Sequence, residues 1–350
     1  MTDQRTKTDV PADAPAPVSL TKTSWWKSDG AEPVRRNLGL IGVLIVLVFI
    51  GAVTRPELYG DASWVTNNVW TILQQASAIG VVTVGMTFVI IGGGIDLSVG
   101  AIIAVAGVWS TTLATQSYGT AGMIFTAIVV GVVVGLVNGV LISYGRLVPF
   151  IATLAMMVAA RGLAAQISGK QTQVSANSTI NDIASTKIFG VPMLVIMLAV
   201  VVAGGWVLLN RTTFGRRTVA VGGNPEAARL AGINIRLHTV LLYALSGLCC
   251  GIAAIMLTSQ ATSAQAAMAN LYELDAIAAA IIGGTLLSGG RGTIIGALFG
   301  VLVFSTITNL FAINNLSTEV QNMVKGAIIV AAVLVQQFRY RSLSQLFSRT

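Results

Sequence analysis

The stretch Gly92 to Gly100, GGGIDLSVG, sets three glycines and a carboxylate inside a segment that is otherwise apolar on both sides. From Asn68 to Thr115 there are 48 residues, which as one helix would run about 70 Å, more than twice the hydrocarbon thickness of a bilayer. The segment must therefore break, and Gly92-Gly93-Gly94 is the only strong breaker in it. Asp96 then falls where a new helix starts, with Leu97, Ser98 and Val99 in its first turn. Two roles fit. As a cap, the carboxylate accepts from free N–H groups and sits favourably in the helix dipole. As a group facing a path or gate, it would account for a charge at membrane depth, which costs roughly 2.5–3.5 kcal/mol on insertion scales. The cap is the preferred reading, because a break near the cytoplasmic surface largely removes that cost.

The rest of the chain supports the membrane setting. Of 350 residues, 54% are hydrophobic and 10% charged, with a mean hydropathy of +0.80, whereas soluble domains carry about 25% charged residues. The net charge of +8 is scattered among apolar segments rather than gathered in a stripe, which argues against nucleic acid and assigns the basic residues to orientation. Cys249 and Cys250 are adjacent, and helical neighbours diverge by about 100°, too far for a disulfide. Residues 1–36 lack an apolar h-region and are rich in Pro, Ala, Asp, Ser and Thr, so they read as a disordered cytoplasmic tail rather than a signal peptide. Trp25 and Trp26, followed by Lys27, either rest on headgroups or belong to that tail.

Apolar runs predict spans over 38–55, 69–91, 96–115, 121–144, 147–167, 190–209, 238–259, 273–290, 293–312 and 319–337. The expected fold is all-α, a polytopic membrane protein of about ten transmembrane helices, with a transmembrane domain over 37–338 and a cytoplasmic C-terminal tail over 339–350. With both termini inside, cytoplasmic segments hold 16 of the 21 basic residues, including Arg35, Arg36, Arg146, Arg211, Arg216, Arg217, Arg229, Arg236, Arg291, Arg339 and Arg341. The outer loops hold Arg55, Lys170 and Lys187. Arg161 and Lys325 fall within spans, each about 10 Å from the outer end, and snorkelling or a structural pair is expected for both.

Between the sixth and seventh spans lies the only sizeable inner loop, RTTFGRRTVAVGGNPEAARLAGINIRLH, 211–238. Its middle predicts a short helix: Asn224 suits the N-cap, Pro225 the first position, Glu226 the positive end, and Gly232 a left-handed close. Ala227, Ala228 and Leu230 favour helix. With Arg229 on it and Arg216 and Arg217 before it, this helix suits a groove on a cytoplasmic partner or a bed of lipid headgroups, and the local chemistry does not choose.

NPEAARLAGI resembles the coupling-helix motif, Glu-Ala-Ala followed by glycine, of permease subunits in bacterial ABC importers. GMTFVIIGGGIDLSVGAIIAVAG (85–107), VPFIATLAMMVAARGLA (148–164), TFGRRTVAVGGNPEAARLAGI (213–233), YELDAIAAAIIGGTLLSGGRGT (272–293) and VKGAIIVAAV (324–333) resemble, in order, blocks of the ribose/xylose/galactose-type sugar permeases. The likeness covers roughly 38 to 340; the N-terminal tail is longer than the family pattern. The resemblance implies a homodimer of permease copies, a cytoplasmic subunit that binds ATP and Mg, an extracytoplasmic sugar-binding protein, and alternating access driven through Asn224, Pro225, Glu226, Ala227, Ala228, Arg229 and Gly232. No Gly-x-x-x-x-Gly-Lys-[Ser/Thr] loop occurs here: Gly169-Lys170 continues with Gln171. Hydrolysis is thus expected on another chain, with no cofactor and no metal on this one.

A sugar path needs neutral hydrogen-bonding groups and an aromatic face. Candidates are Gln75, Ser77, Thr87, Phe150, Thr153 and Asn309, with Asp96 as a gate. Each has a plainer use: Thr87 bonding back to its own helix, Phe150 facing lipid or core, Gln75 and Asn309 joining helices. Glu273 and Asp275 either meet the binding protein or favour the start of the eighth span. Glycines 283, 284, 289, 290 and 292 permit close contact and a tight inner turn. Two rivals are set against this reading. An ion-coupled secondary transporter would show paired broken spans and intramembrane carboxylates, of which only Asp96 is a candidate. A membrane enzyme would need more than His238, which stands alone beside Arg236.

Overall fold

A computed structural model describes residues 32–347, with side-chain surroundings described over 34–334. The expectations for residues 1–31, Trp25 and Trp26 among them, and for the side chains of Arg339 and Arg341 lie outside the described residues.

In the order of the chain the helices are α1 (Glu32–Thr54), α2 (Pro56–Tyr59), α3 (Ala62–Ile91), α4 (Val99–Ser110), α5 (Leu113–Gln116), α6 (Gly119–Ser143), α7 (Pro149–Ile167), α8 (Ser178–Asp182), α9 (Met193–Arg211), α10 (Thr213–Gly223), α11 (Pro225–Leu230), α12 (Ile235–Ala261), α13 (Tyr272–Ile282), α14 (Ile294–Ile313) and α15 (Thr318–Phe347). The only strands among the described residues form two short antiparallel ladders, Gln173–Val174 with Ser263–Ala264 and Lys187–Ile188 with Val191–Pro192.

Among the described residues, seven helices are long and apolar enough to cross a bilayer: α1, α3, α6, α7, α9, α12 and α14. This is a polytopic membrane protein. Two expected spans are shorter than predicted. The run 96–115 holds the 12-residue α4 and 273–290 the 11-residue α13, each about 17 Å long and unable to cross about 30 Å of hydrocarbon alone. The reason is backbone chemistry that hydropathy does not register. At the end of α13, Gly284 takes φ +84° while Thr285 N–H donates to Ala280 at 2.9 Å and Gly284 N–H to Ile281 at 2.8 Å, a glycine-closed helix end. Two further boundaries differ. Glu32 to Arg36 belong to α1 rather than to a tail, and Arg36 donates to Thr293 Oγ1 at 2.9 Å and to the Gly284 carbonyl at 3.2 Å. At the other terminus α15 continues to Phe347, through most of the expected 339–350 tail.

The core is built around α3, which is buried continuously from Ala76 to Ile91 and packs against α9, α12, α13 and α14. Large apolar side chains such as Phe49, Val53, Phe125 and Val158 instead face outward, the arrangement for a lipid solvent. The tightest helix pair is α6 with α12. A Cβ on Gly131 would meet the Gly247 carbonyl, one on Gly135 the Tyr243 carbonyl, and one on Gly139 the Val240 Cα at 2.6 Å. Three glycines at intervals of four residues thus bring two backbones together where only van der Waals contact and hydrogen bonds hold helices in lipid.

Candidate functional site

The loop 211–238 contains more helix than its sequence predicts. Thr212 Oγ1 accepts from Gly215 N–H at 3.4 Å and opens α10, which the sequence reading missed. Asn224 then opens α11: its Oδ1 accepts from Ala227 N–H at 3.0 Å, and Pro225 stands at the first helical position. Gly232, at φ +81°, closes the helix while Ile233 N–H donates to Ala228 at 3.0 Å. Ala228 is buried. The outer face carries Glu226, paired with Arg229 at 3.1 Å, and Leu230, which is 82% exposed. Leu230 is thus the large apolar side chain that this short helix leaves uncovered.

The mount of α11 is a junction of three backbone segments. The end of α3, the end of α10 and the turn 286–291 converge, and Gly290 N–H donates to the Ile91 carbonyl at 2.8 Å. A Cβ on Gly222 would collide with that same carbonyl and stand 2.8 Å from Gly290 N; one on Gly289 would stand 2.8 Å from the Gly222 carbonyl and 3.1 Å from Gly93 Cα. A Cβ on Gly223, next in sequence, would have its nearest neighbour at 4.0 Å. Side chains reinforce the joint: Thr218 and His238 share a buried hydrogen bond of 2.9 Å between α10 and α12, and the Phe214 ring lies 4.7 Å from His238 and 6.1 Å from Phe88. His238 is therefore packed into the mount of the loop.

The broken span reaches this junction. Of its three glycines, Gly93 takes the left-handed turn at φ +85°, with Gly94 N–H donating to Val89 at 2.9 Å; Gly92 stays right-handed. Gly94 instead leaves room for Tyr243, whose hydroxyl would be 2.6 Å from a Cβ there and donates to the Ile95 carbonyl at 3.2 Å. The helix beyond begins at Val99, later than expected, with Leu97 and Ser98 in the turn before it. Asp96 is fully buried. Its Oδ1 accepts from Ser98 N–H at 3.0 Å and Ser98 Oγ at 2.6 Å, and its Oδ2 from Ser246 Oγ at 3.0 Å. Ser98 Oγ in turn accepts from Asn138 Nδ2 at 2.8 Å. One carboxylate thus ties the start of α4 to α6 and α12, using charge-assisted bonds in a dry setting.

The other candidate path residues do not form one site. Thr153 bonds to Pro149 at 2.9 Å and lies 3.5 Å from the Ile95 carbonyl, so it adjoins the Asp96 segment, with Phe150 a turn away and 52% exposed. Ser77 and Thr87 are buried in α3 and bond back to Leu73 and Thr83, both at 2.7 Å. Gln75 is exposed on the same helix. Asn309 joins α14 to α3 through Asn68 at 3.0 Å. Near the far ends of the helices, Arg161 donates to the Ala266 and Met268 carbonyls at 2.8 and 2.7 Å, and Lys325 pairs with Asp275 at 3.2 Å. Both cations thus have structural partners. Glu273 is 7% exposed, and little of its carboxylate faces outward.

The model of the family described as "branched-chain amino acid transport system / permease component" matches residues 68–333. The chain is 39% identical over 318 residues to the ribose import permease protein RbsC of Bacillus subtilis (strain 168), covering 87% of this chain and 94% of that one. It is 36% identical over 297 residues to the ribose import permease protein RbsC of Escherichia coli (strain K12), covering 83% and 91%. The galactofuranose transporter permease protein YtfT of the same strain is 35% identical over 273 residues, covering 78% and 80%. No solved structure matches the chain.

Proposed function

The chain belongs to the branched-chain amino acid transport system / permease component family, and from that premise we propose that it is the membrane-spanning subunit of an ATP-driven importer of a pentose or hexose in a bacterial cell membrane. Two copies form the passage. A separate cytoplasmic subunit binds ATP and Mg and hydrolyses the nucleotide, and an extracytoplasmic protein delivers the sugar. Both termini are cytoplasmic, and the domain, from α1 through α15, has ten membrane segments, two of them, α4 and α13, continued across the bilayer by loop and short helix. Asp96 acts within this domain as an internal pin rather than as a sugar ligand, since its three donors come from the protein.

The observation that carries the coupling role is α11: a capped helix with an exposed Leu230, mounted on a glycine junction that also contains the end of the broken span. A displacement of such a helix is passed on because close-packed backbones do not deform continuously. The test uses the assembled complex. Leu230→Asp and Glu226→Lys alter only the exposed face, so the permease should fold and enter membranes while sugar-stimulated ATP turnover falls about tenfold or more, the effect of losing ~1.4 kcal/mol or more of contact. Unchanged turnover in both variants removes the coupling role from α11.

A further inference from the structure

An open groove of about 610 Å³ lies between α3, α9 and α14, with walls that include Leu73 and Leu298 and a lining that is wholly apolar. On α9 its buried side is formed by Leu198 and Val202, and Ala199 and Ala203, exposed small residues one turn apart, leave it open. Along α9 it runs from Val195 to Val207, about 18 Å at 1.5 Å per residue, close to half the ~30 Å hydrocarbon layer. That is the reach of one acyl chain in one leaflet. The groove ends beside Trp206, whose ring lies 5.4 Å from the guanidinium carbon of Arg211. Arg211 sits one turn past Val207, about 6 Å beyond the apolar lining, where a headgroup lies. Its side chain is exposed and makes no ion pair with an acid among the described residues. An indole at the depth of the interface and a cation just outside it suit the glycerol and phosphate of a lipid.

We propose that this groove is a binding site for one anionic phospholipid of the bilayer, with an acyl chain along α9 over Ala199 and Ala203 and its headgroup against Arg211 and Trp206. The length of the groove selects a single chain of one leaflet, and the unpaired guanidinium selects negative charge. The lining of the groove includes no residue of the Asp96 cluster. The proposal does not rest on the coupling role of α11, and its test reads lipid binding rather than transport.

Native mass spectrometry of the purified full-length chain, delipidated and titrated with phosphatidylglycerol or phosphatidylcholine, tests the site. Wild type should hold one phosphatidylglycerol with a preference of about fivefold over phosphatidylcholine, the ratio expected for one basic residue near a membrane surface. Arg211→Gln should bring that ratio to about one, and Arg146→Gln, an exposed cation elsewhere, should leave it unchanged. Ala203→Phe puts a large side chain into the opening of the groove and should remove both lipids. Equal binding of the two lipids by wild type, or an Arg211→Gln protein that keeps the preference, overturns the proposal. So does an Ala203→Phe protein that keeps its lipid while a dimer dissociates, since the occupant is then a second copy of the chain.

Discussion

Asp96 illustrates how a single buried carboxylate is held in a dry setting. It accepts three hydrogen bonds, from one backbone amide and two hydroxyls, and each donor would be left unsatisfied in a dry interior without it. Leaving such groups unpaired costs about 1–3 kcal/mol each. Asp96→Ala should therefore lower the thermal midpoint of the detergent-purified chain and its yield in membranes, whereas Asp96→Asn, which retains an acceptor for Ser98 N–H, should lose less. An Asp96→Ala protein as stable as wild type would show that the pin is dispensable. At this scale the sequence was legible where a residue acts on its near neighbours. A carboxylate after three glycines announces the break, although α4 starts only at Val99 with Ser98 rather than Asp96 at its cap position, and Asn224, Pro225 and Gly232 announce a helix and its end. Ser246 and Asn138 were not legible as its partners, because nothing in the chain links position 96 to position 246 except the folded contact.

Helices with small residues at their crossings are joined backbone to backbone, and the junction under α11 permits a sharp comparison. Gly222 and Gly223 are neighbours on α10, yet only Gly222 has a carbonyl in the space a Cβ would fill. Gly222→Ala should separate the end of α10 from α3 and the 286–291 turn, so that ATP turnover persists while sugar uptake per ATP falls several-fold. Gly223→Ala should transport normally and, with alanine favoured over glycine in a helix by about 1 kcal/mol, should be no less stable. The same uptake per ATP in both would mean that the junction carries no motion. Hydropathy located helices in all ten predicted stretches and overestimated α4 and α13, since apolar composition says nothing of a left-handed glycine such as Gly284. It also hid α10, whose arginines and glycines resemble a loop. The stripe Gly131, Gly135 and Gly139 was readable in GVVVGLVNG by its four-residue spacing and was overlooked beside the more conspicuous Gly92-Gly93-Gly94.

Among the described residues an apolar core centred on α3 encloses a smaller set of polar groups, while other large apolar side chains such as Phe49 and Phe125 look outward, as suits a chain whose solvent is lipid. The path candidates behave accordingly: Thr153 and Phe150 stand together near the Ile95 carbonyl, while Ser77, Thr87 and Asn309 serve the packing of α3 and α14. Residue type alone did not separate these groups, because a threonine facing a sugar and a threonine bonded to its own helix read identically in a sequence. Under the proposed function this chain is a passage and a lever whose energy arrives from another subunit. Proteoliposomes containing the chain with its ATP-binding subunit and sugar-binding protein should accumulate labelled sugar against its gradient only while ATP is hydrolysed, and the chain alone under an imposed proton or sodium gradient should accumulate none; uphill uptake by the chain alone would contradict the account.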